Sequence, residues 1–174
     1  MHVTEFVARV AAGEKMFPEI ELTNADLAGL DLKQIKLPKA RLTDVNLQGT
    51  NLTLADFSQA RLIRVRLSGS HLFKASFFAA HLVGIDFCGA NLHAADLERA
   101  NLSNAYLRAA HLTQARLCQA NLTGASLIGA HLTESDCRNA NLSNADLTEA
   151  ILSKTNFGGA NLCCAKLPAG FPIV

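Results

Sequence analysis

The chain lacks several features that would indicate other classes of protein. Its 174 residues include no tryptophan and one tyrosine, and the five cysteines have neither a disulfide pattern nor paired Cys-x-x-Cys zinc spacing. Cys163 and Cys164 are chain neighbours that are poorly placed to bridge each other, so we expect reduced thiols, as in a cytoplasmic protein. A basic start followed by an apolar segment is missing, and no apolar run approaches about 18 residues, so neither a cleaved signal nor a membrane span is expected. A chain from which a signal had been trimmed would look the same.

An excess of charge of one sign is missing as well. Sixteen Lys and Arg residues face fifteen Asp and Glu residues, which gives a net charge of +1. No global field therefore steers the protein towards nucleic acid or an anionic membrane. The sequence also contains no Gly-rich phosphate loop, nucleophile elbow or metalloprotease helix. We expect no enzymatic activity and no cofactor.

What dominates the sequence is a period of five residues between positions 20 and 169. Every fifth residue from position 22 to position 167 is Leu, Phe or Cys, at thirty consecutive sites. Ala predominates two residues earlier, and the residue between the two apolar ones is mostly polar. This alternation indicates a short extended segment with both apolar side chains inward. The last two residues of each unit favour turn formers, so each unit ends in a corner.

The repeated pattern Ala-(Asn/Asp)-Leu-x-x, as at residues 100–104 and 145–149, resembles the signature of the pentapeptide-repeat family. The resemblance covers residues 20–169 without an insertion. It implies an all-β solenoid, a right-handed quadrilateral β-helix with four units per coil. Periodicity alone does not specify the number four. Thirty units then correspond to about seven and a half coils.

Four units per coil would place residues twenty apart in stacks along the rod. Val45, Val65 and Ile85 then share a stack where Ala is usual, which predicts a locally crowded or wider interior. The outward positions carry an Asn ladder whose amides we expect to hydrogen-bond along the rod. This ladder comprises Asn101, Asn121, Asn141 and Asn161.

The two ends of the chain depart from the repeat. Apolar residues at helical spacing between residues 3 and 12, followed by Gly13, predict a short helix that caps the first coil. We therefore divide the chain into a capping helix and entry segment (1–19), a β-helix (20–169) and a tail (170–174). Phe171, Ile173 and Val174 either tuck under the last coil or meet a second molecule. We expect a monomer or a weak dimer formed through the C-terminal end.

Two hypotheses for function follow from the resemblance. The best-known functional members of the family protect DNA gyrase by mimicking DNA with an acidic rod. The nearest acidic stack here contains Asp56, Asp96 and Asp136 but is interrupted by Lys36 and Arg116. We therefore favour a non-enzymatic scaffold that binds an unidentified protein, with no direct nucleic acid or membrane partner. The alternative is a DNA-mimic regulator of a topoisomerase or another DNA-binding enzyme.

A candidate partner-binding site lies where the corners lose their polar character. Exposed apolar clusters often mark interaction sites. The apolar corner residues and their basic neighbours are Ile63, Phe73, Phe78, Val83, Arg61, Arg64 and Arg66. The alternative is that each large side chain folds along the surface of its neighbour. The three arginines also belong to a basic cluster with Lys36, Lys39 and Arg41, for which the simpler interpretation is surface salt bridging of little energetic consequence.

One outward stack is rich in histidine. His71, His111 and His131 share it, with Asn91 between the first two. Two of these imidazoles could contact one metal ion, but the sequence offers no third ligand of suitable reach. Because His stands here where Asn stands elsewhere, we predict a structural ladder and no metal site.

Overall fold

The computed structural model describes residues 1–171. Its regular elements are helix α1 (Val3–Ala11) and strands β1 (Glu21–Thr23), β2 (Arg41–Thr43) and β3 (Arg61–Ile63). The three strands form a parallel sheet in the order β1-β2-β3, with each residue paired to the one twenty positions later. Beyond β3 the same register continues as isolated parallel bridges, as far as Asp146 and Lys166. The chain therefore winds into a coil of four five-residue segments, and each coil hydrogen-bonds to the next.

The corners explain the choice of residues in each unit. In a typical corner the amide of Ala105 donates to the carbonyl of Leu102 over 3.0 Å, and Asn104 adopts the left-handed conformation with φ 56°. The Asn101 side chain accepts a hydrogen bond from the Ser103 amide at 3.2 Å. An Asn or Asp in the outward position thus braces its own corner, which accounts for the preference for these residues.

In the predicted Asn ladder, hydrogen bonds from one side-chain amide to the next are less common than hydrogen bonds to the local backbone. The Asn121 amide donates to Asn101 Oδ1 at 3.3 Å. In all four Asn residues of the ladder, Oδ1 accepts the amide hydrogen two residues later. The side chains of the ladder mainly fix the local turn.

The inward orientation of the repeat is confirmed. Every fifth residue from Leu22 to Leu147 is buried, with at most 2% of its surface exposed. The last four members of the series, Leu152, Phe157, Leu162 and Leu167, are half-buried because they belong to the final described coil. The bulky Val45 and Val65 are buried as well, and each follows an extended strand, β2 or β3, that reaches into the corner before it.

Helix α1 lies against the first coil. Phe6 is fully buried, and its ring meets the Phe17 ring edge-on at a centroid distance of 4.9 Å. Gly13, with φ 92°, follows the end of the helix and donates its amide hydrogen to the Val10 carbonyl at 2.9 Å. The α1 side chain Arg9 hydrogen-bonds through Nε to Glu14 Oε2 at 2.7 Å. These contacts tie the helix to the chain entering the coil.

At the other end, Phe171 packs edge-on against Phe157, with ring centroids 6.0 Å apart. Its amide donates to the Pro168 carbonyl at 3.2 Å. Ile173 and Val174, for which the sequence predicted a similar contact, lie outside the described residues. Within residues 1–171, no helix combines the length and the apolar character needed to cross a bilayer.

Candidate partner-binding surface

Five residues at one corner of the rod form what we call the corner groove. Arg61, Leu62, Ile63, His81 and Val83 line a groove of ≈ 290 Å³. Ile63 and Val83 occupy equivalent positions in successive coils, and Val83 is 52% exposed. Among residues 1–171, no carboxylate lies within 4.0 Å of the Arg61 guanidinium, so this cation remains available. The corner groove combines a partly exposed apolar floor with a positive charge.

Phe73 packs against residues outside the corner groove. Its ring stacks on the His93 imidazole, with centroids 5.4 Å apart and planes inclined by 7°. The Lys74 ammonium lies 5.3 Å from the centre of the same ring. Phe73 ends the third segment of its coil, whereas Ile63 ends the first, so the two residues lie at different corners. The structure does not bring Phe73 into the corner groove.

Phe78 is also covered by its own surroundings. The side chain is half-buried, and the Arg99 guanidinium carbon lies 5.9 Å from the ring centre. This cation partly shields the ring from solvent. For both Phe73 and Phe78, the arrangement is that of a large side chain folded against a neighbour one coil further along.

The basic residues of the predicted site differ in their pairing. Arg64 forms two hydrogen bonds with the Asp44 carboxylate, each 2.6 Å long, and thereby lowers the pKa of Asp44. In the wider basic cluster, Arg41 pairs with Glu21 at 3.4 Å and Lys39 with Glu19 at 3.7 Å. Arg66 lies on the next side of the rod, in register with Asn46 and Asp86. Much of the cluster's charge is therefore neutralised internally.

The stack closest to an acidic stripe is neutralised in a similar way. Arg116 pairs with Asp96 at 3.5 Å and also with Glu98. The Arg138 guanidinium donates two hydrogen bonds to Asp136, at 2.8 and 2.6 Å, and these hold the pKa of that carboxyl well below its usual range. Basic side chains therefore pair with two of the three aspartates of this stack.

The histidine stack brings two imidazoles together. The rings of His111 and His131 have centroids 4.8 Å apart and planes inclined by 49°. His71, His93 and His111 also border a shallow groove of ≈ 460 Å³. In the part of the chain that the structure describes, no three or more His, Cys, Asp or Glu side chains form a group that could hold a metal ion.

The thiols fall into two groups. Burial raises the pKa of Cys88 and Cys118, which are half-buried, and raises that of the buried Cys137 to about 12. Cys163 and Cys164 are exposed, and their Sγ atoms lie 3.6 Å apart. Only this pair presents thiols freely to solvent among residues 1–171.

Sequence reasoning missed some exposed residues. His81 lines the corner groove, although the sequence analysis did not include it in the candidate site. Tyr106 and Ile151 are 57% and 47% exposed at outward positions. The register could have identified all three, since His81 directly follows Arg61 in its stack and the other two replace the usual polar residue.

A parallel coil with a buried Leu and Ala interior and a polar exterior defines a β-helical solenoid. The family described as pentapeptide repeats matches the chain with eight copies, over residues 20–59, 40–77, 70–108, 100–139 and 140–167. The chain therefore belongs to the pentapeptide-repeat family, whose members form right-handed β-helices.

Two solved structures illustrate the range of its relatives. HetL, a pentapeptide-repeat protein involved in the regulation of heterocyst differentiation in the cyanobacterium Nostoc sp. strain PCC 7120, is 31% identical. The match covers 98% of this chain and 99% of HetL, with a TM-score of 0.32. A trypsin-treated form of QnrB1, a plasmid-mediated fluoroquinolone resistance protein, is 19% identical over 87% of this chain and 91% of its own, with a TM-score of 0.55, which supports the fold alone. A search of the curated proteins gives no match.

Proposed function

We propose that the protein is a non-enzymatic scaffold, a rod of about seven and a half coils that binds a protein partner along one side. The observation that carries this proposal is the corner groove, where Val83 is 52% exposed beside Ile63 and the unpaired Arg61. The other described corners of this stack carry Thr, Ser or Cys. Two β-branched apolar residues in successive coils therefore depart from the pattern of the surface around them.

The groove has the chemistry of a small docking site. Covering Ile63 and Val83 with a partner would contribute on the order of 1–2 kcal/mol for each side chain. The Arg61 guanidinium would contribute orientation and association rate more than affinity. Arg64 and Arg66 flank the groove, but Arg64 already pairs with Asp44. We therefore assign the flanking arginines a secondary role.

DNA mimicry would require a continuous negative face, whereas Arg116 and Arg138 pair with the acids of the nearest acidic stack. We therefore do not propose it.

The proposal also includes the role of the N-terminal helix, the cellular location and the oligomeric state. Helix α1 would act as a cap that shields the open edge of the first coil from pairing with another chain. The free thiols are consistent with the reducing cytoplasm, where we place the protein. We expect it to act as a monomer or as a weak dimer formed through its C-terminal end.

Affinity capture from the native cells tests the site. The Ile63→Thr, Val83→Thr double variant retains β-branched shapes at positions whose stack already contains Thr23 and Thr43, so it should fold normally. It should recover at least about tenfold less partner than the wild type, as the loss of two buried apolar contacts implies.

A matched double variant, Phe73→Ser with Phe78→Ser, tests the other half of the predicted site. Loss of partner only in this variant would move the docking surface to the corners that carry Phe73 and Phe78. Unchanged recovery with both double variants, each shown to be folded by circular dichroism, would overturn the proposal of a binding site in these coils.

A further inference from the structure

The pair Cys163 and Cys164 has a geometry that the scaffold does not require. Both side chains are exposed at one corner of the last described coil, and their Sγ atoms lie 3.6 Å apart. Two thiolates bound to a tetrahedral Zn²⁺ at about 2.3 Å would lie about 3.8 Å from each other. The observed separation therefore matches the distance between two sulfur ligands of one ion.

The spacing of the two residues along the chain is unsuitable for an ordinary disulfide. An S–S bond is about 2.05 Å long, and it usually joins Cα atoms at least about 4.4 Å apart. Consecutive Cα atoms are about 3.8 Å apart across a trans peptide, so a bond between Cys163 and Cys164 would require the backbone to move. A bridging ion requires no such movement.

The backbone holds this corner in place. The Cys163 amide donates to Asn161 Oδ1 at 3.0 Å, and its carbonyl accepts a hydrogen bond from the Asn144 amide at 2.9 Å. Cys164 adopts the left-handed conformation, with φ 59°, which is common to this position of the repeat. The backbone of both residues is therefore held by the same turn that forms every corner, and only one side-chain torsion in each residue sets the position of its sulfur atom.

We propose that Cys163 and Cys164 form a bidentate thiolate site for a thiophilic divalent cation of the Zn²⁺ or Cd²⁺ class. Binding forms two metal–sulfur bonds and releases the two thiol protons to solvent, with no change in oxidation state. Two coordination positions of a tetrahedral ion would remain for water or for a ligand from outside the chain. The other three cysteines are buried or half-buried and do not compete for the ion.

Titration of the full chain with Cd²⁺ tests the site. The experiment is done without oxygen and in the presence of a phosphine reductant, and it follows the ultraviolet charge-transfer absorption from thiolate to metal. The absence of tryptophan keeps the background low. We expect one Cd²⁺ per chain, displaced by excess Zn²⁺.

Single variants define the ligands. Cys163→Ser and Cys164→Ser should each weaken Cd²⁺ binding by at least about tenfold, because each removes one of two sulfur ligands. Ser already occupies the equivalent place one coil earlier, at Ser143, so the Cys163→Ser corner should remain folded. The control Cys88→Ser should leave binding unchanged. A charge-transfer band that persists in both Ser variants, or that is missing in wild type with verified free thiols, would overturn the proposal.

Discussion

The rings of Phe57 and Phe77 stack face to face inside the rod, with centroids 5.1 Å apart and planes inclined by 4°. The two residues are twenty positions apart, at the same place in successive coils. Phe87, on another side of the coil, meets Phe77 edge-on at 5.5 Å. All three rings are fully buried. This aromatic cluster fills the middle of the interior, where other coils have Leu.

Phe77 and its neighbour Phe78 give the first prediction. Phe77→Ala should lower the free energy of unfolding by about 3–5 kcal/mol, because it leaves a cavity in the interior and removes two ring contacts. Phe78→Ala should cost about 1 kcal/mol, since that ring is half-buried on the surface beneath Arg99. Urea unfolding measures both values. Equal losses would contradict the assignment of the two rings to inside and outside.

Leu102 and Asn101 give the second prediction. Leu102 is fully buried, so Leu102→Asp would place an unpaired carboxylate in the interior and should abolish folding, at a cost of at least about 3 kcal/mol. Asn101→Asp should be tolerated, because a carboxylate oxygen can still accept the Ser103 amide hydrogen. Thermal melts followed by circular dichroism compare the two. Melting temperatures within a few degrees of each other would show that the inward and outward positions are wrongly assigned.

The third prediction concerns the left-handed corner positions. Ala109 is exposed with φ 53°, a conformation that costs a residue with a Cβ about 1–2 kcal/mol. Ala109→Gly should therefore stabilise the protein, by up to about 1 kcal/mol after the greater freedom of glycine in the unfolded chain is included. The adjacent Ala110 is fully buried, and Ala110→Gly should destabilise by about 1 kcal/mol. Denaturation midpoints that shift in the same direction would refute this difference.

The fourth prediction is a dependence on pH. Arg138 holds the pKa of Asp136 below its ordinary value, so the ionised carboxyl favours the folded state at pH values above the unfolded pKa of about 3.9. This contribution is lost as the pH falls through the lower pKa of the folded state. Asp136→Asn should therefore be less stable than wild type at pH 7, by at most about 1 kcal/mol for a pair that is partly exposed.

The difference in free energy of unfolding between wild type and Asp136→Asn should be smaller at pH 3 than at pH 7, because the unfolded wild-type carboxyl is then mostly protonated. Urea unfolding at pH 7 and pH 3 measures it. Arg138→Gln, which removes the cation, should reproduce both the loss at pH 7 and the narrowing. A gap that stays constant or widens in acid would show that the ion pair does not stabilise the fold.

The sequence predicted only part of the candidate site. The stacking of Ile63 on Val83 followed directly from their spacing of twenty residues. The stacking of Phe73 on His93, and the position of Arg99 over Phe78, did not follow, because long side chains adopt the conformation that their neighbours in the next coil leave open. For the same reason, the charges alone did not predict that Arg64 would pair with Asp44. Nor did they predict that Arg61 would lack a carboxylate partner among residues 1–171.

By itself, the sequence determined which side of each segment is buried. An inward apolar pair, an outward residue that is mostly polar and a left-handed corner residue are local requirements of a five-residue segment, so each unit carries them separately. The inward Leu, Phe or Cys is present in all thirty units. Only the tertiary structure decided how the segments meet. The hydrogen bonds between residues twenty apart form when one coil packs on the next, and they determine which side chains become neighbours. The corner groove and the paired arginines depend on those neighbours, because no single unit contains them.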